Sequence, residues 1–266
     1  MIRIKSSTFA GVALTAALIT PSLMADSVDL YVGPYFYSPG GEFTAVTTPN
    51  YNGNYSPSAL ASVTDPYNNT VVQGFETFCV QSDVDFTPYN WGNATPYNLS
   101  ISLSSIGVPD AFALSEGTAY LYSQFAQGTL SGYDFNTGND PTDAAIRTQD
   151  AGELQAAIWA LQGGQTYGGF PSGTVGNPYY ADAVGYLGAN NVTTAATLAT
   201  DFGTEIMNLT DANGGPAQNQ LIYLGSTPPP TSSVADSGTT SALMAMSLAG
   251  LAYFSRKSGA AQPTPR

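Results

Sequence analysis

Basic residues are almost absent from the middle of this chain. Five of its six Lys and Arg residues lie within the first five or the last eleven positions, and Arg147 is the single base between residues 26 and 233. That stretch carries 18 acidic residues, which gives it a net formal charge of −17. A body of this kind repels polyanions and forms few internal salt bridges. Because 43% of the chain is hydrophobic, we expect apolar burial to hold it together.

Two residue counts exclude familiar chemistry. The chain has no histidine, so Ser-His-Asp catalysis, Cys-His catalysis and histidine-ligated zinc are excluded. Its single cysteine, Cys79, excludes an internal disulfide and any metal site built from several thiolates. A pI near 4.1 argues against nucleic acid as a partner. We therefore expect no catalytic residues, no metal site, no cofactor and no enzymatic turnover.

The first 25 residues have the layout of a secretory signal peptide. Arg3 and Lys5 precede an apolar run over residues 9–23, and Ala25 stands before Asp26. We predict removal of residues 1–25 on export.

The other end of the chain reads as a linker followed by a short membrane segment. Residues 226–233 are rich in Pro, Ser and Thr, which neither pack nor pair well, so the folded domain is expected to span residues 26–225. Residues 239–254 carry no charge, and as a helix they would span about 24 Å, which is short for a bilayer core. Arg256 and Lys257 then act as a stop-transfer signal that leaves residues 258–266 cytoplasmic.

The order of short motif, apolar helix and basic cluster resembles the PEP-CTERM class of sorting signals, in its VPDSG variant. The motif residues are Val234, Ala235, Asp236, Ser237 and Gly238, and the whole signal covers residues 234–257. The resemblance implies recognition by an exosortase-type membrane protease, after transient anchoring in the inner membrane. It also implies delivery to the outer surface or to an extracellular matrix. Ala235 departs from the family pattern, which has Pro at that position, and the nine residues after Lys257 are a second departure.

The body of the chain predicts an α+β fold. Short aromatic and β-branched runs up to residue 103 favour strands, and the sequence pattern after residue 109 favours helices. The predicted strands are 30–32, 35–37, 43–46, 71–80, 99–103 and 221–224, and the predicted helices are 113–125, 143–161, 179–187 and 193–209. Strands followed by helices and a last strand indicate a β-rich subdomain, sandwich or barrel-like, beside a helical subdomain.

One cysteine and one glutamine stand out in this body. Cys79 lies in an alternating strand after Phe78, and Gln155 lies on the clearest helix with Trp159 one turn further on. In an exported protein a lone cysteine is a buried apolar residue, an intermolecular disulfide or a thiol committed to other chemistry. The residues alone leave these alternatives open.

A Phe-Cys-Val strand followed by Gln-x-Ala-Ile-Trp resembles the thioester domains of bacterial surface adhesins. The resemblance implies that the Cys79 sulfur attacks the Gln155 side-chain amide and expels ammonia, with Phe78 and Trp159 as water-excluding walls. The family usually has Thr where this chain has Leu154. A thioester is destroyed by water and by amines, and residues 26–233 contain no lysine.

Two functions remain open from the sequence. In the first, an exported surface protein attaches covalently to an amine-bearing partner through Cys79 and Gln155. In the second, a non-catalytic structural or polysaccharide-binding matrix protein simply buries Cys79.

Overall fold

The computed structural model describes residues 26–38, 40–92, 95–105, 112–136, 141–164, 171–188 and 202–225. These residues form a mixed α+β structure with a seven-stranded antiparallel sheet and three α-helices, which confirms the predicted α+β class. The predicted signal peptide (residues 1–25), linker (residues 226–233), sorting signal (residues 234–257) and tail (residues 258–266) lie outside the described residues. No helix in the described ranges is long and apolar enough to cross a membrane.

The sheet runs in the order β3-β4-β2-β1-β5-β6-β7, and all its pairs are antiparallel. Its strands are β1 Ser27–Val32, β2 Phe43–Thr48, β3 Leu60–Thr64, β4 Val71–Thr77, β5 Tyr97–Ser102, β6 Thr204–Thr210 and β7 Gln220–Tyr223. Short 3-10 helices lie at Asn52–Asn54, Pro57–Ala59 and Tyr89–Trp91.

The central pair of strands shows why this sequence forms a sheet. β1 and β2 pair over their whole lengths, from Ser27 opposite Thr48 to Val32 opposite Phe43. Val28 and Leu30 are buried, whereas Ser27 and the intervening Asp29 are only partly so. This alternation is typical of a strand with one face on the core. Leu30 and its partner Ala45 join the main apolar core.

The helices are α1 Glu116–Ala126, α2 Pro141–Leu161 and α3 Pro178–Leu187. Ser115 caps α1 by accepting a hydrogen bond from the Thr118 backbone N–H, and Asn177 caps α3 by accepting from the N–H groups of Tyr179 and Tyr180. Most of α1 is buried, and α2 buries its second half. The predicted helices 113–125, 143–161 and 179–187 correspond closely to these three.

Two predicted elements differ from the structure, and one strand was missed. The helix predicted over residues 193–209 is wrong at its end, because Thr204–Thr210 is β6, and residues 193–201 lie outside the described residues. β6 gains hydrogen bonds from β5 on one edge and β7 on the other, and this pairing overrides local helix propensity. Residues 35–37 form no strand, and strand β3 was not predicted at all.

Candidate functional site around Cys79

A short extension of β4 carries Cys79 between a strand and a helix. Beyond Thr77 the chain pairs with the start of β7: Val80 N–H donates to the Asn219 carbonyl at 2.9 Å, and Leu221 N–H donates to the Phe78 carbonyl at 3.1 Å. Backbone groups of successive strand residues point to opposite edges. The Cys79 N–H and C=O therefore face away from β7, towards an edge where none of the described strands lies.

Gln155 occupies that edge. Its Oε1 accepts a hydrogen bond from the Cys79 backbone N–H at 2.8 Å, and its Nε2 donates to the Cys79 carbonyl at 2.8 Å. The two residues are 76 positions apart, and both are fully buried. A single carboxamide thus supplies the two hydrogen bonds that a neighbouring strand would otherwise make. The structure brings together the cysteine and the glutamine that the sequence singled out.

Helix α2 explains how Gln155 reaches this edge. Leu154 and Ile158 pack in the main core, and Gln155 and Trp159, one turn apart, lie on the neighbouring face. Gly40 lies against this face: a Cβ there would be 3.2 Å from Gln155 Cγ and 3.0 Å from the Trp159 ring. The absence of a side chain at Gly40 lets the β1–β2 connection cover the site closely.

The aromatic surroundings differ in part from the prediction. Trp159 is buried in one apolar cluster with Cys79 and Phe43, and its Nε1–H donates to the Gln81 carbonyl at 3.0 Å. Phe78 is equally buried, but it lies in the main core, where its ring is 5.0 Å from that of Phe125. Neighbouring strand residues point to opposite faces, so Phe78 and Cys79 enter different clusters. Phe43 takes the place beside the sulfur that was expected for Phe78.

The hydrogen bonds of the sulfur involve two further glutamines. Cys79 Sγ–H donates to Gln218 Oε1 at 3.0 Å, and Gln220 Nε2–H donates to Sγ at 3.3 Å. Burial raises the pKa of the Cys79 thiol to about 12, and the Gln220 donor lowers that pKa by a smaller amount. At neutral pH the Cys79 thiol is therefore neutral, and it lies in a buried site among glutamine side chains.

Sequence reasoning missed Gln218 and Gln220. Their spacing of two residues just before an apolar strand places them on one face, and this is the one local signal they give. That this face would meet Cys79 depends on the pairing of β7 with residues 78–80, which spans about 140 positions and has no local signature.

A second buried polar cluster surrounds Arg147 on α2. Its guanidinium binds Glu42 through three hydrogen bonds of 2.8–3.2 Å, and it lies 4.1 Å from the centre of the Tyr35 ring. Glu76 is also fully buried, and Thr44 Oγ1 donates to its Oε1 at 2.8 Å. The Arg147 guanidinium can neutralise one of these two carboxylates, and it binds that of Glu42. Burial, with Glu42 nearby, raises the pKa of Glu76 to about 8, so Glu76 holds a proton at neutral pH.

No group of three or more potential metal ligands occurs within the described ranges. The predicted sorting residues, Val234 to Gly238, and the stop-transfer residues Arg256 and Lys257 lie outside them.

No family of known proteins, no curated protein and no solved structure matches this chain.

Proposed function

We propose that this chain is an exported surface or matrix protein that attaches to an amine-bearing partner through an internal thioester between Cys79 and Gln155. One observation carries the proposal: the carboxamide of Gln155 forms two hydrogen bonds with the backbone of Cys79, the single cysteine, 76 positions away, and both residues are fully buried. Burial of a glutamine is unusual, and here its carboxamide is directed at the cysteine rather than at solvent.

The chemistry balances within the site. Sγ of Cys79 attacks Cδ of Gln155, an S–C bond forms, and the C–N bond breaks. The thiol proton ends on the departing nitrogen, which leaves as ammonia. Negative charge develops on Gln155 Oε1 during the attack, and the Cys79 backbone N–H, 2.8 Å away, is placed to stabilise it. Before the attack the sulfur is hydrogen-bonded to Gln218 and Gln220, and the S–H hydrogen leaves Gln218 Oε1 for the departing nitrogen as the bond forms.

The surroundings favour survival of the product. Cys79, Gln155 and Trp159 are almost completely inaccessible to solvent, so water that would hydrolyse the bond is excluded. The sequence has lysine at residues 5 and 257 alone, both outside the folded body, so that body holds no lysine amine to attack the bond. An external amine is therefore the expected acceptor, and its attack joins the partner to Gln155 as an amide and frees the Cys79 thiol.

Labelling with a small amine tests this transfer. Purified protein incubated with methylamine is digested, and the peptide that contains Gln155 is sequenced by mass spectrometry. We expect methylamine on Gln155 in the wild-type chain and none in Cys79→Ala. Gln81, another buried glutamine of the same region, is the internal control for nonspecific exchange. Unlabelled Gln155 in protein that has been opened with mild denaturant would refute the transfer.

The finer architecture belongs to the same proposal. We propose that a β-rich subdomain and a helical subdomain meet at Cys79 and Gln155, as the resemblance to thioester domains implies. Residues 1–25 are proposed to export the chain, and residues 234–257 to sort it through an exosortase-type protease to the outer surface or matrix. Deleting residues 234–266 should release the protein to the medium or leave it in the periplasm. Unchanged surface retention would contradict the sorting proposal.

A second candidate function is non-covalent binding of a neutral polysaccharide. Trp91 is 61% exposed and Tyr67 is 51% exposed, and the Tyr67 ring lies 5.0 Å from that of Tyr89. Exposed aromatic faces stack on sugar rings, and the acidic body disfavours an anionic glycan. Trp91 is the exposed one of two tryptophans, so a binding glycan should protect it from a fluorescence quencher. Protection that persists in Trp91→Phe would count against this surface.

A further inference from the structure

Two side chains at the start of β7 form hydrogen bonds with the sulfur of Cys79. Gln218 Oε1 accepts the S–H hydrogen at 3.0 Å, and Gln220 Nε2–H donates to the sulfur at 3.3 Å. We call Gln218 and Gln220 the sulfur cradle. A thiol has one hydrogen and two lone pairs. The cradle takes the hydrogen and one lone pair, and no hydrogen bond among the described residues uses the second lone pair.

The cradle is itself fixed from the other side. Gln218 Nε2 donates to the Gln81 carbonyl at 2.6 Å, and Trp159 Nε1 donates to the same oxygen at 3.0 Å. Trp159 lies one turn from Gln155 on α2. A continuous chain of hydrogen bonds therefore links the position of the sulfur to the helix that carries the carboxamide.

Gln220 gives an independent indication that the cradle serves more than packing. Its side chain is fully buried, and within the described part of the chain its Oε1 has no hydrogen-bond partner. A buried acceptor without a hydrogen-bond partner destabilises the folded state. The rest of the same carboxamide is directed at Sγ and at the Gln218 carbonyl. An apolar side chain would avoid that cost but could not donate to the sulfur.

We propose that Gln218 and Gln220 are positioning residues for formation of the Cys79–Gln155 bond: they orient the thiol so that its free lone pair is available to Gln155. This inference rests on the proposed thioester. Gln218 holds the S–H hydrogen away from the attack path, and Gln220 fixes the side chain by a second hydrogen bond. Neither Gln218 nor Gln220 forms or breaks a covalent bond in the reaction.

Two measurements on one set of variants test the cradle. Gln218→Met keeps the side-chain length and removes the acceptor, and Gln127→Met, at the C-terminal end of α1, is the matched control. The first measurement is a time course: intact mass gives the fraction of chains that have lost ammonia at each time after refolding begins. We expect formation to slow about five-fold or more in Gln218→Met and to be unchanged in Gln127→Met.

The second measurement has a readout that a purely structural role would leave unchanged. The chain has one cysteine, so its Raman spectrum has one S–H stretching band. In Gln155→Glu, which retains the free thiol, adding Gln218→Met should move this band to higher wavenumber because the S–H loses its acceptor. Urea unfolding establishes that each variant is folded.

The outcomes separate the two proposals. A wild-type chain of full mass overturns the thioester, and the positioning role with it. A linked wild-type chain with equally fast linkage in Gln218→Met overturns the positioning role alone. An unmoved S–H band in folded Gln155→Glu/Gln218→Met also overturns it.

Discussion

Replacing Glu76 by glutamine should remove a large pH dependence from the stability of this fold. Glu76 has an ordinary pKa of 4.5, and burial followed by the nearby Glu42 raises it to about 8 in the folded chain. Between these values the folded state binds one proton more than the unfolded state. Raising the pH through this window therefore destabilises the wild-type fold, by at most about 1.4 kcal/mol per pH unit. The amide side chain of the Glu76→Gln variant has no acidic proton to lose.

The structure sets the size of the effect. Summed from about pH 5 to about pH 8, the Glu76 contribution to the wild-type chain falls by about 3 kcal/mol. The variant keeps an oxygen to accept from Thr44 Oγ1, as Glu76 Oε1 does at 2.8 Å. The two proteins should therefore be similar in stability near pH 5, and the variant should be clearly more stable near pH 8.

Urea unfolding at the two pH values measures the difference directly. Asp29, which is partly buried and has its pKa raised to about 6 by burial and by Asp65, is present in both proteins, so its contribution cancels in the comparison. Glu153→Gln, at a partly exposed position of α2, controls for the loss of a glutamate in general. If the wild type and Glu76→Gln differ by the same amount at both pH values, Glu76 does not carry the proton and the assignment of charge to Glu42 is wrong.

Three further changes test the packing around α2. Gly152→Ala should destabilise the fold by about 1–3 kcal/mol in urea unfolding, because a Cβ there would lie 2.7 Å from the Tyr37 ring. Gly185→Ala in α3 is its control: no atom lies within 4 Å of the new Cβ, so a gain of up to about 1 kcal/mol is expected. Arg147→Met should cost about 3–5 kcal/mol, since it leaves Glu42 buried without a cation; a cost below about 1 kcal/mol would contradict the buried ion pair.

Local sequence patterns predicted those helices and strands whose conformation in the fold agrees with their local propensity. The apolar stripe in the second half of α2 is buried, and buried and less buried residues alternate at the start of β1 and of β5, so the α+β class followed from the sequence. β6 did not, because its strand conformation depends on pairing with β5 and β7 at the two edges. A segment that is locally compatible with a helix becomes a strand when both edges are paired.

The polar sites also divide into residues that the sequence singled out and residues that only long-range contacts bring together. The body has a single cation, and nothing local selects Glu42, 105 positions away, as its partner from 18 acidic residues. The resemblance to thioester domains pointed to Cys79 and Gln155. Gln218 and Gln220 could not be predicted, because the contact of β7 with the extension of β4 brings them to the sulfur.

The most direct test of the central claim is the intact mass of the chain that covers residues 26–233. The account predicts a deficit of about 17 Da, the mass of ammonia, in the wild type and its absence in Cys79→Ala and Gln155→Ala. It further predicts that a thiol reagent finds no free cysteine in the unfolded, unreduced wild-type chain. Full mass together with one titratable thiol would show that Gln155 merely binds the Cys79 backbone, and would contradict the thioester.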